Sequence, residues 1–132
     1  MIIKEKLEEY ADLVDLANRT KERIEHLRDK STSVGGVNYD HLPSSNLYSD
    51  KVGNIISNIY SLEEKYIDLI GEIALKELEI LTLIDVLEPR ERHLIMLRYI
   101  DLKGWNDISH KIGVGITQCH RIHNVALKKL AS

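Results

Sequence analysis

The chain has 132 residues, a formal charge of −3 and a hydrophobic content of 43%, enough for one packed domain or a small domain with an extension. Phe is absent, alternation of β-branched residues is hard to find and helix formers dominate, so an all-α fold is expected and a sheet protein is not. A single cysteine, Cys119, excludes an internal disulfide and fits a reducing cytoplasm. The opening MIIKEKLEEY meets acidic residues within five positions, so neither a secretory signal nor a membrane span is expected there.

Residues 2–29 read as one helix. Ile3, Leu7, Tyr10, Val14, Ala17, Ile24 and Arg28 follow alternating steps of four and three, with Lys21 completing the series. Leu13, Leu16 and Leu27 widen that stripe, and the other faces carry the charges of a solvated side. Residues 31–49, STSVGGVNYDHLPSSNLYS, lose the helical period and predict a flexible connection between two antiparallel helices. The Gly35-Gly36 pair lacks the further glycines and the Lys-Ser/Thr that would make a phosphate-binding loop.

Residues 50–87 predict the longest helix, about 55 Å if unbroken, with Ser49 or Asp50 as its N-cap. Val52, Ile55, Ile59, Leu62, Tyr66, Leu69, Ile73, Ile80, Leu83 and Leu87 keep a heptad spacing that only Lys76 interrupts. Ile56, Ile70, Ala74, Leu81 and Ile84 form a second apolar strip. The first helix is too short to cover both. The expected cover is the C-terminal module, packed at the 78–87 end, or a second copy in a homodimer.

Residues 88–132 form a separate module by this reading, with 1–87 as a coiled-coil-like helical hairpin. Pro89 suits the first position of a helix and Glu91 its first turn. Leu94, Ile95, Leu97, Tyr99 and Ile100 supply its buried side. Two further helices, 105–112 and 116–130, flank the break Ile112-Gly113-Val114-Gly115. Helices joined by a glycine-containing turn of three or four residues are the helix-turn-helix pattern, whose second helix enters the DNA major groove. Gly104 and Gly115 occupy the two N-cap positions and offer no side-chain oxygen.

On the last helix Cys119, Ile122, Ala126 and Leu130 share one stripe, edged by Ile116, His123 and Leu127. Opposite lie Thr117, Arg121, Asn124 and Lys128, flanked by Gln118 and His120, with no acidic side chain. Charge is also uneven: residues 88–132 hold eight Lys/Arg against four Asp/Glu, and residues 1–87 hold ten against seventeen. A basic module on an acidic body fits nucleic-acid binding at one end. Arg121, Gln118 and Asn124 are the expected base readers. Thr117, Lys128, Lys129 and Lys111 are the expected phosphate contacts, and His120 is expected close to phosphate. Arg90 and Arg92 either reach phosphate or pair with nearby acids. Cys119, His120 and His123 diverge on the helical wheel, so no metal site is expected. No nucleophile–base pair or paired carboxylates appear, and neither an enzyme nor a cofactor is expected.

The segment resembles region four of primary-type sigma factors. Pro89, Arg90-Glu91-Arg92, Leu97-Arg98-Tyr99, Ile108-Ser109, Gly113-Val114 and Ala126-Leu127-Lys128-Lys129-Leu130 stand in the order and spacing of that pattern, over about a third of the chain. With its long helical N-terminal half, the whole is similar to the ArpU- and RinA-like regulators of phages and prophages. The resemblance implies a cytoplasmic regulator of phage or prophage late genes acting on double-stranded DNA. It equally implies an alternative, an adaptor that docks on RNA polymerase and scarcely touches DNA.

Overall fold

The computed structural model describes residues 2–35 and 45–131, with side chains for 3–31 and 50–131. All regular structure among them is helical: α1 (Ile2–Gly35), α2 (Ser45–Leu83), α3 (Pro89–Ile95), α4 (Trp105–Ile112) and α5 (Ile116–Ala131). A 3₁₀ turn (Ile84–Val86) follows α2, and a π turn (Met96–Ile100) extends α3. No described helix is long and apolar enough to cross a membrane.

Two expected boundaries move. Helix α1 continues past residue 29 to Gly35, and α2 begins at Ser45, so residues 49 and 50 lie inside a helix and not at its start. Polar residues such as Ser31 and Ser33 lower helix propensity by only a few tenths of a kcal/mol each and do not stop a helix already running. The strong breakers are Gly35-Gly36 and Pro43. The remainder of the expected connection, 36–44, lies outside the described residues.

Contacts divide the chain into two compact units, Met1–Val14 with Glu72–Ser132, and Asp15–Gly71. This division cuts through α1 and α2 and does not follow the sequence boundary between residues 87 and 88. In the first unit Ile3, Leu7 and Tyr10 of α1 join Ile80, Ile84 and Leu87, Leu94, Ile95 and Leu97, Ile108, and Cys119, Ile122 and Ala126 of α5 in one buried cluster. The C-terminal helices thus share a core with the first turns of α1 and the last of α2. Ion pairs Lys6–Glu79 and Lys76–Glu9, both 2.8 Å, give these two segments opposite directions. Lys76, the interruption in the heptad, is the residue that carries its ammonium to the edge of the seam.

In the second unit Ala17, Thr20, Ile24, Ile55 and Leu69 are buried. Thr20 Oγ1 donates to the Leu16 carbonyl at 2.8 Å, which satisfies its hydroxyl within the helix. Arg28 pairs with Glu63, so the position that ends the apolar series in α1 is occupied by a charge with a partner.

Along α2 the buried face rotates. Ile55, Leu69 and Ile80 are buried as expected, but Leu83 is 39% exposed and Ile84 is fully buried in its place. A straight α-helix drifts about 20° per heptad against a 3.5-residue repeat, enough over four heptads to exchange one stripe for its neighbour. The other consequence is a third face left uncovered: Tyr60 and Ile67 in one unit, and Leu75, Leu78 and Val86 in the other, are each more than 60% exposed.

Candidate nucleic-acid interface

The module starts with a reciprocal cap. The Glu88 side chain accepts from the α3 backbone, and the Glu88 amide donates to Glu91 Oε1 at 3.0 Å, with Pro89 at the first helical position. Glu91 is 8% exposed and also receives Lys129 Nζ at 2.8 Å. The Lys129 bond, chiefly, and the capped amide hold its carboxyl below the ordinary glutamate range, against the opposing effect of burial. One carboxylate therefore fastens the start of α3 to the end of α5.

Between α3 and α4 the chain turns through Leu102, which has φ 55°, a left-handed conformation usually given to glycine at a helix end. The turn is held by Lys103 N–H to the Leu97 carbonyl (2.9 Å) and by Arg98 Nη1 to the Lys103 carbonyl (3.2 Å). Arg98 also lies over the Trp105 ring, 4.6 Å from its centroid. Gly104 caps α4 with no side-chain hydrogen bond, as its lack of a side chain requires.

Helix α4 ends at Gly113, φ 84°, whose amide donates to the Ser109 carbonyl at 2.8 Å. A side chain here would be strained by the backbone alone. The next carbonyl, Val114, receives Ser109 Oγ from α4 and the Cys119 thiol from α5, the latter at 3.9 Å. The Gly115 carbonyl then accepts the Cys119 amide at 3.0 Å and opens α5. The angle between α4 and α5 is thereby fixed by a left-handed glycine and one shared acceptor, and Ile108 and Cys119, both fully buried, close the inner side.

The inward and outward stripes of α5 fall as the wheel predicts. Cys119, Ile122 and Ala126 are buried, while Thr117, Gln118, His120, Arg121, Asn124, Lys128 and Lys129 are exposed. Among the described residues no side chain accepts from Arg121. Lys111, near the end of α4, and Arg90, at the start of α3, are exposed as well. Some of the expected contacts are engaged by protein groups. Lys129 is held by Glu91, Arg92 lies 3.5 Å from Asp85, and Asn124 hydrogen-bonds His123.

His120 and His123 also prove to be parts of an aromatic group that the wheel does not reveal. His120 stacks at a tilt on Trp105, with centroids 4.1 Å apart. His123 meets the edge of the same indole at 5.2 Å and pairs through Nε2 with the Tyr99 hydroxyl at 2.6 Å. Burial pushes the His123 pKa down, the Asn124 bond opposes this, and the Arg98 and His120 charges add to the fall. Cys119 is free and buried. The sequence signal for this group was present in the three-residue spacing of His120 and His123, but the partners, Tyr99 and Trp105, come from other elements.

No protein-family model, curated protein or solved structure matches the chain.

Proposed function

We propose that the chain is a sequence-specific double-stranded DNA-binding transcriptional regulator, in which α4 and α5 form a helix-turn-helix and α1 with α2 a helical hairpin. One observation carries this reading. The outer face of α5 is exposed, rich in hydrogen-bond donors and free of acidic side chains, on a helix whose opposite face is anchored in a shared core. Arg121, Gln118 and Asn124 would read base edges. Thr117, Lys111 and Lys128 would meet phosphates. His120 would sit near the backbone, and Lys129 serves the Glu91 pair first. The genes it controls would be those of a phage or prophage, as the sequence resemblance implies.

A second reading, docking on RNA polymerase, is favoured by a different observation: Leu75, Leu78 and Val86 leave α2 and its 3₁₀ turn with an apolar outer face. A homodimer would use the same kind of surface and would present two copies of α5 to two half-sites. The experiment that tests the proposal is selection of random duplexes by the purified chain, followed by binding across a salt series. An enriched motif with a steep salt slope supports DNA recognition, and a palindrome adds a symmetric dimer. Failure to enrich any motif at low salt removes the reading and leaves the polymerase adaptor.

A further inference from the structure

We infer that Val125 is a specificity residue that reads the 5-methyl group of a thymine, beside the base edges met by Gln118 and Arg121; this rests on the proposed placement of α5 in the major groove. Gln118, Arg121 and Val125 stand at i, i+3 and i+7 and share one flank of the outer face. Val125 is 47% exposed although its neighbour Ala126 is fully buried. It is not among the buried or partly buried residues of the core cluster. Valine is also a poorer helix former than the Lys, Gln or Ala that a solvent position would accept. Neither packing nor propensity therefore accounts for it.

Base chemistry does. Gln and Arg can each pair in bidentate fashion with a purine, adenine for the amide and guanine for the guanidinium, but neither senses the methyl that marks thymine in the major groove. Valine supplies the missing apolar contact. Its χ1 is already restricted in a helix, so little rotamer freedom is lost when it is covered. The other half-exposed aliphatic on α5, Ile116, lies on the opposite flank with His120, away from Gln118 and Arg121. The flank carrying residues 118, 121 and 125 thus combines an amide, a guanidinium and a rigid pair of methyls, a set suited to one short run of bases.

The test uses the full chain and the duplex it selects. Each thymine of that duplex is replaced in turn by uracil, which lacks only the methyl, and binding is measured for the wild type and for Val125→Ala. Alanine keeps the helix, so loss of folding does not confuse the result. At one thymine, uracil is expected to weaken wild-type binding about fourfold, the factor equivalent to ~0.8 kcal/mol for one buried carbon, and to leave Val125→Ala binding unchanged. The inference is overturned if every uracil is neutral in the wild type, or if the loss is the same in Val125→Ala, while the motif itself stands. If no motif is selected at all, the DNA reading falls and this inference falls with it.

Discussion

Two outward faces of this chain have opposite chemistry. The face of α5 offers Thr117, Gln118, Arg121 and Asn124 with no acid among them, whereas α2 offers Leu75 and Leu78, 67% and 62% exposed. Both helices bury a stripe of the expected kind, so burial alone does not distinguish them. What differs is the surface left over. A donor-rich face is well solvated by water, whereas an apolar face in water costs free energy that is recovered when it is covered. The contrast is what the two proposed roles rest on, nucleic-acid contact at α5 and protein contact at α2.

The largest expected effect tests the inner side of α2 against the outer. Ile80 is fully buried and Leu78, two residues before it, is 62% exposed. Ile80→Ala should lower unfolding stability by about 2–5 kcal/mol, and Leu78→Ala by less than about 0.5 kcal/mol, in urea titrations at low protein concentration. A Leu78→Ala loss that grows with protein concentration would show that a second copy covers this face. Equal losses at every concentration would mean that Leu78 belongs to the core and that the outer face is not free.

Next in size is the contrast within α5. Arg121→Ala should weaken binding to the selected duplex by about 1–3 kcal/mol and relax preference at one base pair. Lys128→Ala should weaken binding to all duplexes alike and reduce the salt slope by about one. Competition with single-base variants of the site reads both. Unchanged preference in Arg121→Ala would remove the base-reading assignment.

How much of this was legible in the sequence depends on range. The outward set on α5 could be read because a helix of known period with an apolar stripe fixes its own opposite face, and Thr117 through Lys128 needed nothing else. The heptad on α2 was legible at Ile55, Leu69 and Ile80 but not at Leu83, because small angular drift accumulates with length. The caps at Ser49 and Asp50 failed because a good cap residue is also a tolerable helix residue, and only a breaker decides between them. Least legible was the aromatic group, in which Tyr99, Trp105, His120 and His123 meet across three elements. Glu91 was placed correctly in a first turn, yet its bond to Lys129, 38 residues on, has no sequence signature.

That bond supplies the third test, since it takes Lys129 from the donor face and assigns it to the frame. Glu91→Ala removes both the cap and the ion pair, and should cost about 1–2 kcal/mol. The carboxyl's pKa is lowered in the folded state, so its contribution is present above the ordinary glutamate value and is lost as pH falls through the lower folded one. Wild-type stability should therefore drop below about pH 4.3, and the drop should be smaller in Glu91→Ala. If the two profiles run parallel, the carboxylate is not coupled to folding, and Lys129 returns to the set of DNA contacts.

The smallest effect concerns the side of α5 turned towards Trp105. Tyr99→Phe deletes the hydrogen bond to His123 Nε2 and should cost about 1 kcal/mol at pH 7. The pH dependence gives the sharper reading. His123 has a folded pKa below its ordinary value, so the unfolded chain takes up the proton first as pH falls. Stability from the neutral ring is full above about pH 6.5 and is lost as pH falls through the folded value. His123→Asn should lack this component altogether. Parallel losses in wild type and His123→Asn would mean that His123 is open to solvent. The edge of α5 would then belong to the wet donor face and not to the frame that carries it.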